Sequence, residues 1–238
     1  MKKLALLSFL GPLLFSIAVY ADTPYFYGGD FDPGNQNADA QLNDNVGDYF
    51  PYLSATYQNF YAQSSLTVRG LFTNNLSDFT PSVAYWEVRS GVTEGNGGTL
   101  ISAGVGVVAN DPTGRQFKGY DEYTNLVSGL GVNLVPGQYW FAVVPVCESC
   151  DPNRAAYNTN TFGLNSIGKS DLNLEYYNSP AFGVNFLNAN TGTDHFPTFS
   201  SGVYADPGIP EPDSLLLMGT GVAGVAGVLR RRLFQTPR

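Results

Sequence analysis

Between residues 22 and 209 apolar positions tend to recur at every second residue, and no stretch holds a helical period over three turns. Period two is what a strand with one buried face imposes, because successive side chains point to opposite sides. Residues 83–89 are the clearest case: Ala84, Trp86 and Val88 share one face, Tyr85, Glu87 and Arg89 the other. Leu66 and Val68 mark the inward positions of another strand. Residues 99–108 also read as extended, but glycines interrupt them, which predicts a strand pair or a bulged strand. The turn signal Pro136-Gly137 leads into residues 139–146, apolar on both faces and therefore a central strand. Residues 161–164 and 182–187 are weaker candidates.

Short strands at this spacing, separated by Gly, Asn, Pro and Asp, predict an all-β body over residues 51–190. The expected architecture is an antiparallel two-sheet sandwich, jelly-roll-like, with Trp86 and Trp140 between the sheets. Residues 22–50, rich in Asp, Asn and Gly, read as an extended arm. Residues 191–209 read as a polar linker that lifts the body off a membrane.

The two ends follow different rules. Met1-Lys2-Lys3 precedes an apolar run to Val19, and Val19-Tyr20-Ala21 suits a cleavage site. Residues 1–21 are thus expected to be a signal peptide cut after Ala21. At the other end, residues 215–229 are uncharged and Arg230-Arg231-Arg232 follows at once. As a helix this stretch spans roughly 22 Å, short of a ~30 Å hydrocarbon core. Snorkelling arginines and local thinning make up the difference, so it predicts a marginal single transmembrane helix with its C-terminus in the cytoplasm. Gly219, Ala223 and Gly227 form a small-residue face on that helix, which suits close approach by another helix.

Pro210-Glu211-Pro212, the apolar helix and the arginine cluster, in that order, resemble the PEP-CTERM sorting domain, here residues 210–234. The resemblance implies a Gram-negative, polysaccharide-producing host. It also implies processing by an exosortase, a membrane-embedded cysteine transpeptidase-like enzyme. It covers about the last 25 residues and says nothing of the body. The prolines hold their segment extended, where a protease-like enzyme can reach its backbone. The stretches GLFTNN, YWEVRSG, GGTLISAG and PGQYWFAVVP resemble a pattern seen in many exosortase substrates. That second resemblance supports the sandwich and implies no activity.

Charge sharpens this topology. Residues 22–209 hold 6 Lys plus Arg against 18 Asp plus Glu, a balance of −12 within a chain of −8 overall. So acidic a body repels phosphates, which excludes nucleic acid as a partner.

Candidate chemistry is sparse. Cys147 and Cys150 are the only cysteines, and outside the cytoplasm they read as a disulfide pinning the turn after the central strand. Zinc would need two more ligands, and the chain has one histidine, His195, with no nucleophile elbow to serve. Asp30, Asp32, Asn35, Asn37 and Asp39 gather the hard oxygens that calcium prefers. Their spacing departs from an EF-hand at Gly34 and lacks the twelfth-position glutamate, so a solvated acidic loop is the favoured reading. No other cofactor is expected.

Residues 22–209 contain 14 Tyr, 13 Phe and 2 Trp. Tyr25, Tyr27, Tyr52, Tyr176 and Tyr177 are candidates for stacking on sugar rings, against the plainer role of edging a core. The expected function is that of an exported, exosortase-processed surface or matrix protein with a non-catalytic body that interacts with extracellular polysaccharide. The alternative is a carbohydrate-active enzyme on the same anchor, which would need two facing carboxylates.

Overall fold

The computed structural model describes residues 23–35, 37–47, 52–189 and 198–207. Among them there is no α-helix, and fourteen strands form one sheet. The long strands are β4 (Ala55–Ala62), β5 (Leu66–Ser77), β6 (Val83–Ser90), β7 (Thr99–Phe117), β8 (Tyr120–Leu134) and β9 (Gly137–Cys147). Shorter ones precede them: β1 (Phe26–Tyr27), β2 (Ala40–Leu42) and β3 (Asn45–Val46). Others follow: β10 (Ala156–Thr161), β11 (Tyr176–Ser179), β12 (Val184–Asn188), β13 (Thr198–Phe199) and β14 (Ser201–Pro207). The main order is β1-β14-β5-β8-β7-β6-β9-β4-β11-β12, and only β3 with β9 pairs in parallel.

The expected pair of sheets is joined into one, because β7 belongs to both halves. Its residues 99–107 pair with β6, and residues 108–117 pair with β8. The glycines that seemed to interrupt it make room for the core. A Cβ on Gly106 would lie 2.3 Å from Val127, and one on Gly104 would lie 3.2 Å from the Trp86 ring. Only glycine lets a strand approach neighbours that closely.

The two halves enclose one cluster, with Leu66, Val68 and Leu71 of β5 and Val127 of β8 from one side. Trp86 and Val88 of β6 and Phe141 of β9 come from the other. A second cluster buries the opposite face of β9, where Trp140, Ala142 and Val144 meet Tyr57, Tyr176 and Phe186. The central-strand reading of residues 139–146 therefore holds. Trp86 and Trp140, expected together, lie in different clusters.

Four segments differ from the sequence reading. The arm at residues 22–50 supplies β1, β2 and β3, and Phe26 sits 2% exposed in the main core. The linker at residues 191–209 contains β13 and β14. β14 pairs with β5 from Ser201↔Thr73 to Pro207↔Leu66 and buries Val203 completely. Residues 161–164 lie at and beyond the end of β10, and residues 182–187 overlap β12, which begins at Val184.

Candidate functional site

The register of β5 defines two ends of the body. At one end Leu66 pairs with Pro207, the last described residue. At the other end Ser77 pairs with Asp121, next to the turn that joins β7 to β8. Lys118 and Gly119 form this turn with φ of 49° and 88°, and Phe117 pairs with Tyr120. Two successive left-handed residues match the twist of a tight two-residue hairpin.

The turn fixes Tyr120 beside Tyr157 of β10, edge to face with ring centroids 5.8 Å apart. Tyr157 is placed by its pairing with Leu76 of β5 and Leu42 of β2. Tyr120, Tyr123 and Tyr157 are all partly exposed. Tyr120 borders a hollow of about 210 Å³, lined also by Tyr157, Asp39 and Lys118. It also borders a hollow of about 560 Å³, lined by Tyr123, Asp78 and Asp121. Burial, then the neighbouring Tyr120, Asp44 and Asp78, raise the pKa of Tyr157 and keep its phenol protonated.

The tyrosines that the sequence singled out sit elsewhere. Tyr52 and Tyr176 are buried, at 5% and 3% exposure, so neither offers an open ring face. Tyr25 packs against the main core and its hydroxyl accepts from Gln63 N–H at 2.9 Å. Tyr27 donates to Asp30 at 2.8 Å, and Tyr177 donates to Ser54 at 2.9 Å. These five do not form a common surface. Tyr120, Tyr123 and Tyr157 were missed, although Phe117-Lys118-Gly119-Tyr120 carries a legible two-residue turn signal.

Four of the five candidate calcium ligands carry hydrogen bonds of their own. Asp30 accepts from Tyr27, Arg115 and Asn165. Burial works against its ionisation, yet these bonds and the Arg115 charge hold its pKa below the usual carboxylate value. Asp32, Asn35 and Asp39 each accept a backbone N–H within two residues. Among the described residues no three His, Cys, Asp or Glu side chains gather as a metal site requires. Cys147 and Cys150 are bonded as a disulfide with Cα atoms 5.5 Å apart, in the turn after β9.

The buried glutamates are held by dedicated partners. Glu87, 1% exposed, accepts from Tyr57, from Tyr85 at 2.9 Å and from Arg89 at 2.8 Å. Burial and then the Glu87 charge raise the pKa of Tyr57 and Tyr85. Burial opposes the charge on Arg89, but its bonds to Glu87 outweigh that and raise its pKa. Glu122, fully buried, accepts from Arg115 and, at 2.7 Å each, from Thr113 and Thr159. Glu175 accepts from Gln58 at 3.3 Å and Asn59 at 3.2 Å.

Ala21, His195, the sorting residues Pro210, Glu211, Pro212 and Arg230–Arg232, and the helix expected over residues 215–229 lie outside the described residues. Among the described residues no helix is long and apolar enough to cross a membrane. A family model, the PEP-CTERM protein-sorting motif, matches residues 208–232. No curated protein matches the chain.

Proposed function

We propose that this chain, which carries a PEP-CTERM sorting motif, is an exported exosortase substrate whose non-catalytic β body works outside the cell, in contact with extracellular polysaccharide. The motif implies export and processing by an exosortase. One observation ties that motif to the body: the matched segment begins at residue 208, and residue 207 is still paired with Leu66. Only Gly208 and Ile209 separate this strand from Pro210. At about 3.6 Å per residue, the motif starts within roughly 10 Å of the folded body. The sheet end that holds Pro207 therefore faces the processing enzyme, and the β7–β8 turn points away from it.

The non-catalytic reading is supported by the fate of the carboxylates. Three of the eighteen body carboxylates, Glu87, Glu122 and Glu175, are buried and bonded to dedicated partners, which removes these three from the facing acid–base pair that glycoside cleavage needs.

Fractionation of an exosortase-bearing Gram-negative host tests the sorting claim. The native chain is expected outside the inner membrane at reduced mass. The variant P210A/E211A is expected in the inner membrane with its C-terminal segment retained. Equal mass and location for both would overturn the reading.

A further inference from the structure

We infer that the groove around Tyr120 and Tyr157 binds a neutral polysaccharide chain, with a sugar ring laid over Tyr120 and its neighbours in the flanking hollows. This rests on the extracellular role proposed above and names the ligand class and the site for it.

Four features point to this ligand. First, the aromatic platform is preformed. Tyr120 is fixed by a tight turn and by the edge of Tyr157, 5.8 Å away, so little side-chain freedom is lost on binding. A tyrosine ring presents an apolar face to the C–H side of a pyranose, while its hydroxyl stays wet.

Second, the rim carries groups that match sugar hydroxyls. Asp39 lines one hollow, Asp78 and Asp121 line the other, and Lys118 reaches both. Carboxylates accept hydroxyl protons and the ammonium donates to hydroxyl oxygens.

Third, shape favours a chain over a single small molecule. The hollows, about 210 and 560 Å³, both border Tyr120 and Lys118 at the same end of the sheet, room for more than one sugar residue. Together they fall within the ~300–1,000 Å³ of ordinary ligand sites. Fourth, charge selects among polysaccharides. The body carries −12, and three aspartates surround the groove, so uronate-rich or sulfated chains are repelled.

The position also fits. The groove lies at the Ser77 end of β5, away from the Leu66–Pro207 pair. Eleven residue steps at ~3.3 Å place it roughly 35 Å from the point where the chain leaves for the sorting segment.

Affinity electrophoresis of the full-length chain in mild detergent tests this, with dextran, galactomannan, xyloglucan or alginate embedded in the gel. At least one neutral polymer should retard the native chain, and alginate should not. Y120A and Y157A should each weaken retardation at least tenfold, with melting temperature measured alongside. Should Y157A unfold, Y120A at the hairpin tip decides. V107S, which changes a 79% exposed side chain on β7, is the control for non-specific apolar binding and should behave as native. No retardation by any of the three neutral polymers, retardation by alginate alone, or retardation unchanged in a folded Y120A would overturn the inference. Because the chain is full-length, binding is read whether or not processing occurs. A failed binding test with intact sorting would remove the groove and leave the proposed export and processing standing.

Discussion

At the scale of single residues the unusual group is Asp44. It is fully buried; Oδ2 accepts from Ala156 N–H at 2.9 Å, and Oδ1 has no hydrogen-bond partner among the described residues. Burial, partly offset by that bond and reinforced by the Asp78 charge, pushes its pKa from 3.8 up to about 7. The folded state thus holds a proton that the unfolded chain has released between roughly pH 4 and pH 7. Its stabilising contribution is complete below pH 4, falls as pH rises, and is lost above pH 7. D44N removes the titration. Urea unfolding should show D44N near native stability at pH 4 and about 2–4 kcal/mol more stable than native at pH 8, at ~1.4 kcal/mol per unit. An equal difference between the two proteins at both pH values would contradict this assignment. Residue faces were legible where alternation is local: Ala84, Trp86 and Val88 do face the main core. Glu87 was read correctly as lying on the opposite face. Its burial was not legible, because its cover includes Tyr57 and the Phe186 region, remote in sequence.

At the scale of elements, β14 is the strongest correction. Residues 198–207 read as linker because serines and a glycine dilute the pattern, and only Val203 and Ala205 alternate inward. A strand flanked by two partners needs little propensity of its own, since β1 and β5 supply the ladder on either side. The same holds for the two residues of β1, too few to register as a period. V203A distinguishes strand from linker. Removing two methylene-sized groups from a fully buried side chain should cost about 2 kcal/mol in chemical denaturation. A linker residue would change stability by less than ~0.5 kcal/mol. In β7 the bulged-strand alternative is the one realised: the pairing with β6 shifts register between Ser102 and Leu100. Gly104 and Gly106 do not break the strand, because packing against Trp86 and Val127 requires them.

At the scale of the whole molecule, a sheet folded over its own core is joined to a PEP-CTERM sorting motif at residues 208–232. That motif was readable because it is a local pattern of prolines, apolar residues and arginines, independent of tertiary contacts. The proximity of Tyr120, Tyr157 and Asp39 was not readable, because it arises only through the register of β2, β5, β8 and β10. The body end nearest the motif and the end bearing Tyr120 and Tyr157 are opposite. The most direct test is the intact mass of the protein recovered from outside an exosortase-positive cell. The expected species begins at Asp22, ends between residues 208 and 215, and is lighter by the two hydrogen atoms lost in forming one disulfide. A full-length chain from Met1 to Arg238, found in the cytosol with both cysteines reduced, would contradict the account.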